Sequence, residues 1–183
     1  MAGAARERDM VYDDLDRLTE ADSALWNGTA SYSYDALDNM VGTTVPAAGI
    51  HHARQQAYCY DSTNRLTTAY KDGTCTTGQL ALTVTYDVQG NLNAWNTLDY
   101  DFDFGNRLRE IATSTGTTIE TYRYDAHGRR MRSTSPTGAL YSLYGQSGQL
   151  FWTRDGRDQQ RRQYVYLAGS LVAEHTRPIG GST

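Results

Sequence analysis

The sequence predicts an all-β protein built from repeated antiparallel β-hairpins. Three observations predict this fold: a Tyr-Asp motif recurs along the chain, turn-forming residues stand at a fixed distance after it, and aromatic residues alternate before it. The aromatic anchors of the motif are spaced 22, 26, 26, 16, 22, 20 and 22 residues apart. A period near 22 over most of a 183-residue chain indicates a repeat architecture.

The first element of each repeat is a strand that ends in the aromatic anchor, which is followed by aspartate in six copies. The anchors, with the aspartate where one follows, are Tyr12-Asp13, Tyr34-Asp35, Tyr60-Asp61, Tyr86-Asp87, Phe102-Asp103, Tyr124-Asp125, Tyr144 and Tyr166. A second aromatic stands two residues before the anchor in five copies. Because residues two apart on a strand share a face, we expect a half-buried aromatic stripe.

The second element is a tight turn that begins at the aspartate. An aspartate at this place can accept a hydrogen bond from the backbone two residues on. Three residues later the chain has a residue that tolerates positive φ. These residues are Asp16, Asp38, Asn64, Gly90, Asn106 and Gly128. The spacing predicts a type I turn closed by a left-handed residue, which is a common three-residue hairpin connection.

The third element is a returning strand, since a polar residue and then an apolar residue, usually leucine, follow the turn. One hairpin is marginal alone, but stacked hairpins bury a continuous sheet face. We expect roughly twelve to sixteen short strands in a meander, with essentially no helix. The predicted organisation is a lead-in over residues 1–10, about eight repeats over 11–176, and a flexible tail over 177–183.

Composition supports a thin, tyrosine-rich sheet. Hydrophobic residues make up 39% of the chain and the net charge is −4, while 14 tyrosines and 3 tryptophans supply apolar area. No run of apolar residues is long enough for a membrane span. The first residues lack the apolar segment of a signal peptide.

The two cysteines, Cys59 and Cys75, lie sixteen residues apart. A hairpin could bring them together as one disulfide, but two unpaired thiols are equally compatible with the sequence. Zinc is not expected, because two cysteines without a suitably spaced histidine do not complete a ligand set.

The phrase Tyr-Asp-x-x-Gly-Arg/Asn-Leu, with its period near 22, resembles the Rhs or YD-repeat family. Its members include repeat regions of bacterial polymorphic toxins, insecticidal toxin-complex components and teneurins. The resemblance spans about residues 11–175. It implies a curved or spiralling sheet that is part of a β-shell, enclosing a toxin or, in teneurins, supporting adhesion. The implied partners are the rest of a longer Rhs chain and its toxin cargo, and the implied location is secreted or at the cell envelope.

No catalytic residue, metal ligand or cofactor is expected, and the chain is not predicted to be an enzyme. Asp99, Asp101 and Asp103 imitate the start of a calcium loop, but Phe104 stands where such a loop needs glycine. Toxin-bearing family members have a core with an aspartate-dependent self-cleavage site. No aspartate of this sequence can be matched to that site, so no cleavage role is assigned here.

Two further interpretations concern binding. An open sheet leaves unpaired backbone groups on its end strands, so association with copies of itself is expected. As an alternative function, exposed Trp26, Trp95 and Trp152 could stack on sugar rings in a carbohydrate-binding or adhesion module.

Residues 121–162 carry eight Arg and three Asp, a net +5, and the remainder therefore carries −9. This basic region could bind nucleic acid or acidic glycans, but ordinary strand-face charge is the preferred interpretation, and nucleic acid is not the expected partner.

Overall fold

The computed structural model describes residues 9–23, 28–47, 50 and 52–180. Within these ranges the chain forms sixteen β-strands and no helix, and every strand pairing is antiparallel, which confirms the all-β prediction. The chain divides into two compact units, Met1–Thr85 and Tyr86–Thr183.

The first unit is a meander in which each strand pairs with its neighbours in sequence. Its strands are β1 (Met10–Tyr12), β2 (Leu18–Ser23), β3 (Gly28–Tyr34), β4 (Met40–Val45), β5 (Arg54–Tyr60), β6 (Leu66–Thr74) and β7 (Thr77–Tyr86). Only the last residue of β7 falls in the second unit.

The second unit continues the same pattern, again with sequence neighbours paired. Its strands are β8 (Leu92–Trp95), β9 (Leu98–Phe102), β10 (Leu108–Thr113), β11 (Thr118–Tyr124), β12 (Arg130–Ser135), β13 (Gly138–Tyr144), β14 (Leu150–Asp155), β15 (Gln160–Leu167) and β16 (Ser170–Pro178).

The register of the hairpins follows the repeat. The anchor of a copy pairs with the residue that begins the next strand, and a β-bulge lies beside each such pair. The pairs are Tyr12 with Leu18, Tyr34 with Met40, Tyr60 with Leu66, Phe102 with Leu108, Tyr124 with Arg130, and Tyr144 with Leu150. The repeat unit is therefore a hairpin whose turn and bulge recur in register.

The predicted turn geometry is confirmed at all six positions. The residue three after the aspartate has φ between 57° and 65° where it is Asp or Asn, and 79° or 87° where it is Gly. In the sixth copy the Asp125 amide donates to the Arg129 carbonyl at 2.9 Å, and the Gly128 amide donates to the Asp125 carbonyl at 3.0 Å. A left-handed residue is needed there to close the turn, which explains the restriction to Asp, Asn and Gly.

The last two copies differ from the others in their turns. The seventh keeps the backbone turn without an aspartate, because Gly145 donates to the Gln149 carbonyl at 2.9 Å. A Cβ at Gly145 would lie 2.3 Å from a ring carbon of Phe151, so the ring occupies the place of a side chain. The eighth has two residues with positive φ, Ala168 and Gly169, as in a two-residue type I′ hairpin.

Two predicted boundaries are corrected at the ends of the repeat region. Met10, assigned to the lead-in, pairs with Ala21 in the first hairpin. Arg177 and Pro178, assigned to the flexible tail, belong to β16 because they pair with Arg161 and Gln160. Residues 1–8 and 181–183 lie outside the described ranges.

The protected interior of the sheet is small. Among the described residues, the buried hydrophobic side chains are Ala21, Ala30, Ala57, Ala69, Val84 and Tyr122. The other tyrosines of the aromatic stripe, Tyr32, Tyr58, Tyr100 and Tyr164, are half-buried, as predicted. Stability must therefore come from recurring contacts between hairpins and not from one thick core.

Candidate functional site

The six turn aspartates each bind the backbone of their own turn. In the sixth copy, Asp125 Oδ1 accepts from the amides of His127 and Arg129, both at 2.9 Å, and Oδ2 accepts from Arg129 Nε at 2.7 Å. The same three contacts, with asparagine in place of arginine at two copies, recur at Asp13, Asp35, Asp61, Asp87 and Asp103. Each aspartate therefore stabilises its own turn by accepting these hydrogen bonds.

These contacts lower the pKa of every turn aspartate. The largest cause at Asp13 and Asp125 is the backbone amide four residues on. At Asp35, Asp87 and Asp103 it is the Asn or Arg side chain at that same place. The pKa of Asp61 is lowered most by the hydroxyl of Thr63. In each case the donors favour the ionised carboxylate.

We expect the stability of the fold to fall in acid because these six pKa values are lowered. A carboxylate whose folded pKa is depressed contributes stability that is fully present above its unfolded value, about 3.9. That contribution is lost as pH falls through the folded value. Urea unfolding followed by circular dichroism should give a constant free energy above about pH 5 and a declining one between about pH 4 and 2.

The control for this pH dependence is Asp125→Asn, which removes one titrating group and should make the acid decline shallower. A free energy of unfolding that stays constant down to about pH 2 would contradict the role assigned to the turn aspartates.

In several copies the residue four after the aspartate also links one repeat to the next. Arg17 lies 4.9 Å from the ring centre of Tyr34 and donates to the carbonyl of Asp35 at 2.9 Å. Arg129 repeats the arrangement, with its guanidinium 5.3 Å from the Tyr144 ring and a bond of 2.7 Å to the next turn. Each arginine thus holds its own turn, the following anchor and the following turn together.

The anchor hydroxyls tie neighbouring repeats in the opposite direction. Tyr124 donates to the Leu108 carbonyl at 2.8 Å, that is, to the residue that begins the returning strand of the previous copy. Tyr34 binds Leu18 at 3.0 Å and Tyr60 binds Met40 at 2.8 Å in the same way. Tyrosine is therefore a better anchor than phenylalanine wherever a previous repeat is present.

Tyr124→Phe is expected to lower the free energy of unfolding by about 1 kcal/mol, the usual net value of one such hydrogen bond. The matched control is Tyr12→Phe, because within the described residues the hydroxyl of Tyr12 donates only to the sulfur of Met10, at 3.3 Å. Urea unfolding of both variants measures the difference. Equal losses would show that the hydroxyl does not act between repeats.

The sequence prediction treated this linking position only as a polar residue and missed its role. It is occupied by Arg17, Asn39, Arg65, Asn91, Arg107, Arg129 and Gln149. The signal was present in the sequence, since every member of the column is a side-chain donor and the first six stand four residues after an aspartate.

A second polar cluster, also missed from the sequence, joins distant strands of the second unit. Arg157 makes two bonds of 2.8 Å to the nearly buried Asp155 and lies 3.5 Å from Glu120. Glu120 accepts at 2.9 Å from the hydroxyl of Tyr122. The pKa of Tyr122 is raised to about 12, chiefly by burial and secondly by this hydrogen bond. The hydrogen bonds from the Arg157 side chain lower the pKa of Asp155. The cluster is satisfied internally and thus serves the fold.

The remaining sequence candidates are not brought together. Cys59 and Cys75 form a disulfide that ties β5 to the turn after β6. Trp95, 48% exposed, ends β8, and the half-buried Trp152 lies on β14, six strands away in the sheet order. Trp26 lies outside the described residues. The tryptophans of the second unit therefore do not form one sugar-binding platform.

The described ranges contain no group of three or more His, Cys, Asp or Glu residues arranged to hold a metal ion. Asp103 is engaged in its turn with Arg107, while Asp101 on β9 pairs across to Glu110. In the described part of the chain, no helix has the length and apolar character required to cross a membrane.

Residues 100–140 match the family model described as RHS Repeat. The chain is also similar in fold to crystal structures of TcdB2-TccC3-Cdc42, with a TM-score of 0.70 at 14% identity, and of TcdB2-TccC3, with 0.71 at 15%. A structure of TcdB2-TccC3 without its hypervariable C-terminal region gives 0.53 at 13%. Each similarity covers 92% of this chain but 11% of the other chain. No curated protein matches the sequence.

Proposed function

We propose, from the premise that this chain is an RHS-repeat protein, that it is a non-catalytic wall segment that encloses or scaffolds a cargo or partner. The observation that carries the proposal is the chain of contacts between successive hairpins. The arginine of one copy packs on the anchor ring of the next copy. The hydroxyl of that anchor donates back to a carbonyl of the previous copy. Because these contacts recur, one repeat can dock on the next in the same way along the sheet. Such a design extends a sheet by adding one hairpin after another.

The absence of a catalytic role is supported by what the aspartates already do. A carboxyl group that acts as a general acid or base must be free to exchange protons near neutral pH. The turn aspartates have lowered pKa values and are saturated by donors within their own turns. We propose that they act only in folding.

The wall proposal requires the end strand β16 to find a partner, either the rest of a longer chain or another copy. Along its nine residues β16 is exposed, and within the described residues it pairs only with β15. An exposed edge of this length presents a row of backbone donors and acceptors to another strand. The disulfide supports a location in an oxidising compartment, such as outside the cell or in its envelope.

Light scattering coupled to size exclusion tests the proposal. We expect the folded chain to associate with rising concentration, and Val172→Lys on β16 to weaken that association because a charge on an edge strand opposes pairing. Val165→Lys is the matched control, since Val165 and Val172 are 51% and 55% exposed but only Val172 lies on the end strand. A folded monomer at every concentration, or equal effects of both lysines, would count against association through this edge.

A further inference from the structure

Five arginines and one tyrosine form a straight row across the six strands β11–β16. Each member pairs directly with the next in the antiparallel register, so all six lie on one face of the sheet. The pairs are Arg123 with Arg132, Arg132 with Tyr141, Tyr141 with Arg154, Arg154 with Arg161, and Arg161 with Arg177. We call this set the arginine row. Five strand spacings of about 4.8 Å give it a length of about 24 Å.

The charges of the arginine row are not neutralised by the protein. Among the described residues, none of its five guanidinium groups lies in an ion pair. The carboxylates of these strands stand on the opposite face, where they pair with other residues. Glu120 pairs with Ile111, Asp155 with Leu140 and Gln160, and Glu174 with Tyr164. The face that carries the row is therefore uniformly basic over β11–β16.

Such a row is unfavourable for the sheet on its own, because like charges directly opposite each other on neighbouring strands repel. Arg123, Arg132, Arg154 and Arg177 are exposed, and Arg161 is half-exposed. A ligand with several negative charges would relieve the repulsion and could bind guanidinium groups in pairs.

A second row lies on the same face, two residues along each strand from the arginine row, and contains both apolar and polar side chains. Leu143 pairs with Trp152, Trp152 with Gln163, and Gln163 with His175. Trp152, Gln163 and His175 line one groove together with Arg161 and Arg177. The surface thus combines a line of cations with one indole and with amide and imidazole groups that can hydrogen-bond hydroxyls.

We propose that the arginine row and the groove beside it bind an acidic polysaccharide, that is, a chain of sugars bearing sulfate or carboxylate groups. The groups of the row would meet the acidic substituents, and Trp152 would carry a sugar ring. This proposal goes beyond the wall function and does not depend on it.

Nucleic acid fits the surface less well. Binding of a single strand uses successive aromatic rings on which bases stack. The one aromatic in the row, Tyr141, already has the Arg132 guanidinium 5.5 Å from its ring centre. An acidic polysaccharide can place its charged groups along the arginines of successive β-strands and one sugar ring on Trp152, so it matches the surface better.

The test uses the full chain and a heparin oligosaccharide of defined length, by isothermal titration at about 50 mM salt, where surface electrostatics are weakly screened. We expect saturable binding that weakens about tenfold or more in Arg154→Gln/Arg161→Gln. The matched control is Arg54→Gln/Lys71→Gln, which removes the same charge from exposed positions of β5 and β6. The control should change affinity by less than about twofold.

Trp152→Ala should weaken heparin binding without changing its salt dependence, since it removes a ring and no charge. Circular dichroism establishes that each variant is folded, and the row variant should be at least as stable as the parent because repulsion is removed. Equal weakening in both double variants would overturn the proposal in favour of net charge alone. Equal or tighter binding of an oligothymidylate of matched charge would overturn it in favour of nucleic acid, and absence of saturable heparin binding would also overturn it.

Discussion

Replacing Tyr122 with alanine is expected to lower the free energy of unfolding by about 3–5 kcal/mol, the range for removing a large buried aromatic. Tyr122 is 4% exposed, while the other buried hydrophobic side chains of the described residues are four alanines and one valine. Its ring has the Arg130 guanidinium 4.2 Å from its centre, and its hydroxyl binds Glu120. Alanine would leave a cavity and would also remove the hydrogen bond to Glu120.

Tyr141→Ala is the matched control, because Tyr141 lies on the opposite face of the same sheet and is 37% exposed. Its loss should cost about 1 kcal/mol or less, as is usual for surface positions. Urea unfolding at pH 7 measures both variants. If they lose equal stability, the face that carries the aromatic stripe is not the one that holds the second unit together.

The local part of the fold could be predicted because its causes lie within a few residues. The turn needs an acceptor at its first position and a left-handed residue three positions later, and Asp125 and Gly128 show both requirements in the sequence itself. The pairing of each anchor with the residue after the turn then follows from the turn type. The predictions of hairpins, positive φ and a half-buried stripe were correct for this reason.

The arginine row could not be predicted because it depends on register accumulated over six strands. Arg123 and Arg177 lie in the same row only because the five connections between β11 and β16 have the lengths observed, and a shift of one residue in any of them would move an arginine to the other face. The contact between Arg157 and Glu120 joins β11 to the turn after β14 and is equally non-local. The sequence indicated a basic region but not which face would carry its charge.

The predicted tail was too long for a related reason. The Pro and Gly residues near the end of the chain indicate loss of regular structure, but Pro178 is at the last position of the end strand. Proline is tolerated at such an edge because its missing amide hydrogen costs no ladder bond on the open side. Composition alone therefore placed the boundary too early.

Removing the disulfide with Cys59→Ser/Cys75→Ser is expected to destabilise the first unit by about 3 kcal/mol, the value for closing a loop of about 15 residues. The crosslink joins positions sixteen apart in sequence and restricts the unfolded chain between β5 and the turn after β6. It also holds together a unit whose buried hydrophobic side chains, among the described residues, are four alanines and one valine, so little other apolar burial compensates for its loss.

Reduction separates this effect from any effect of the substitutions themselves. Dithiothreitol should lower the urea midpoint of the parent protein to that of the double variant, and it should leave the double variant unchanged. Thr76→Ser, next to the exposed Cys75, is the control for a change of side chain in the same turn and should behave as the parent does. Because the crosslink acts on the unfolded chain, its loss should alter the midpoint far more than the circular dichroism of the folded state. An unchanged midpoint after complete reduction would mean that the β5–β7 hairpins are held by their backbone pairing alone.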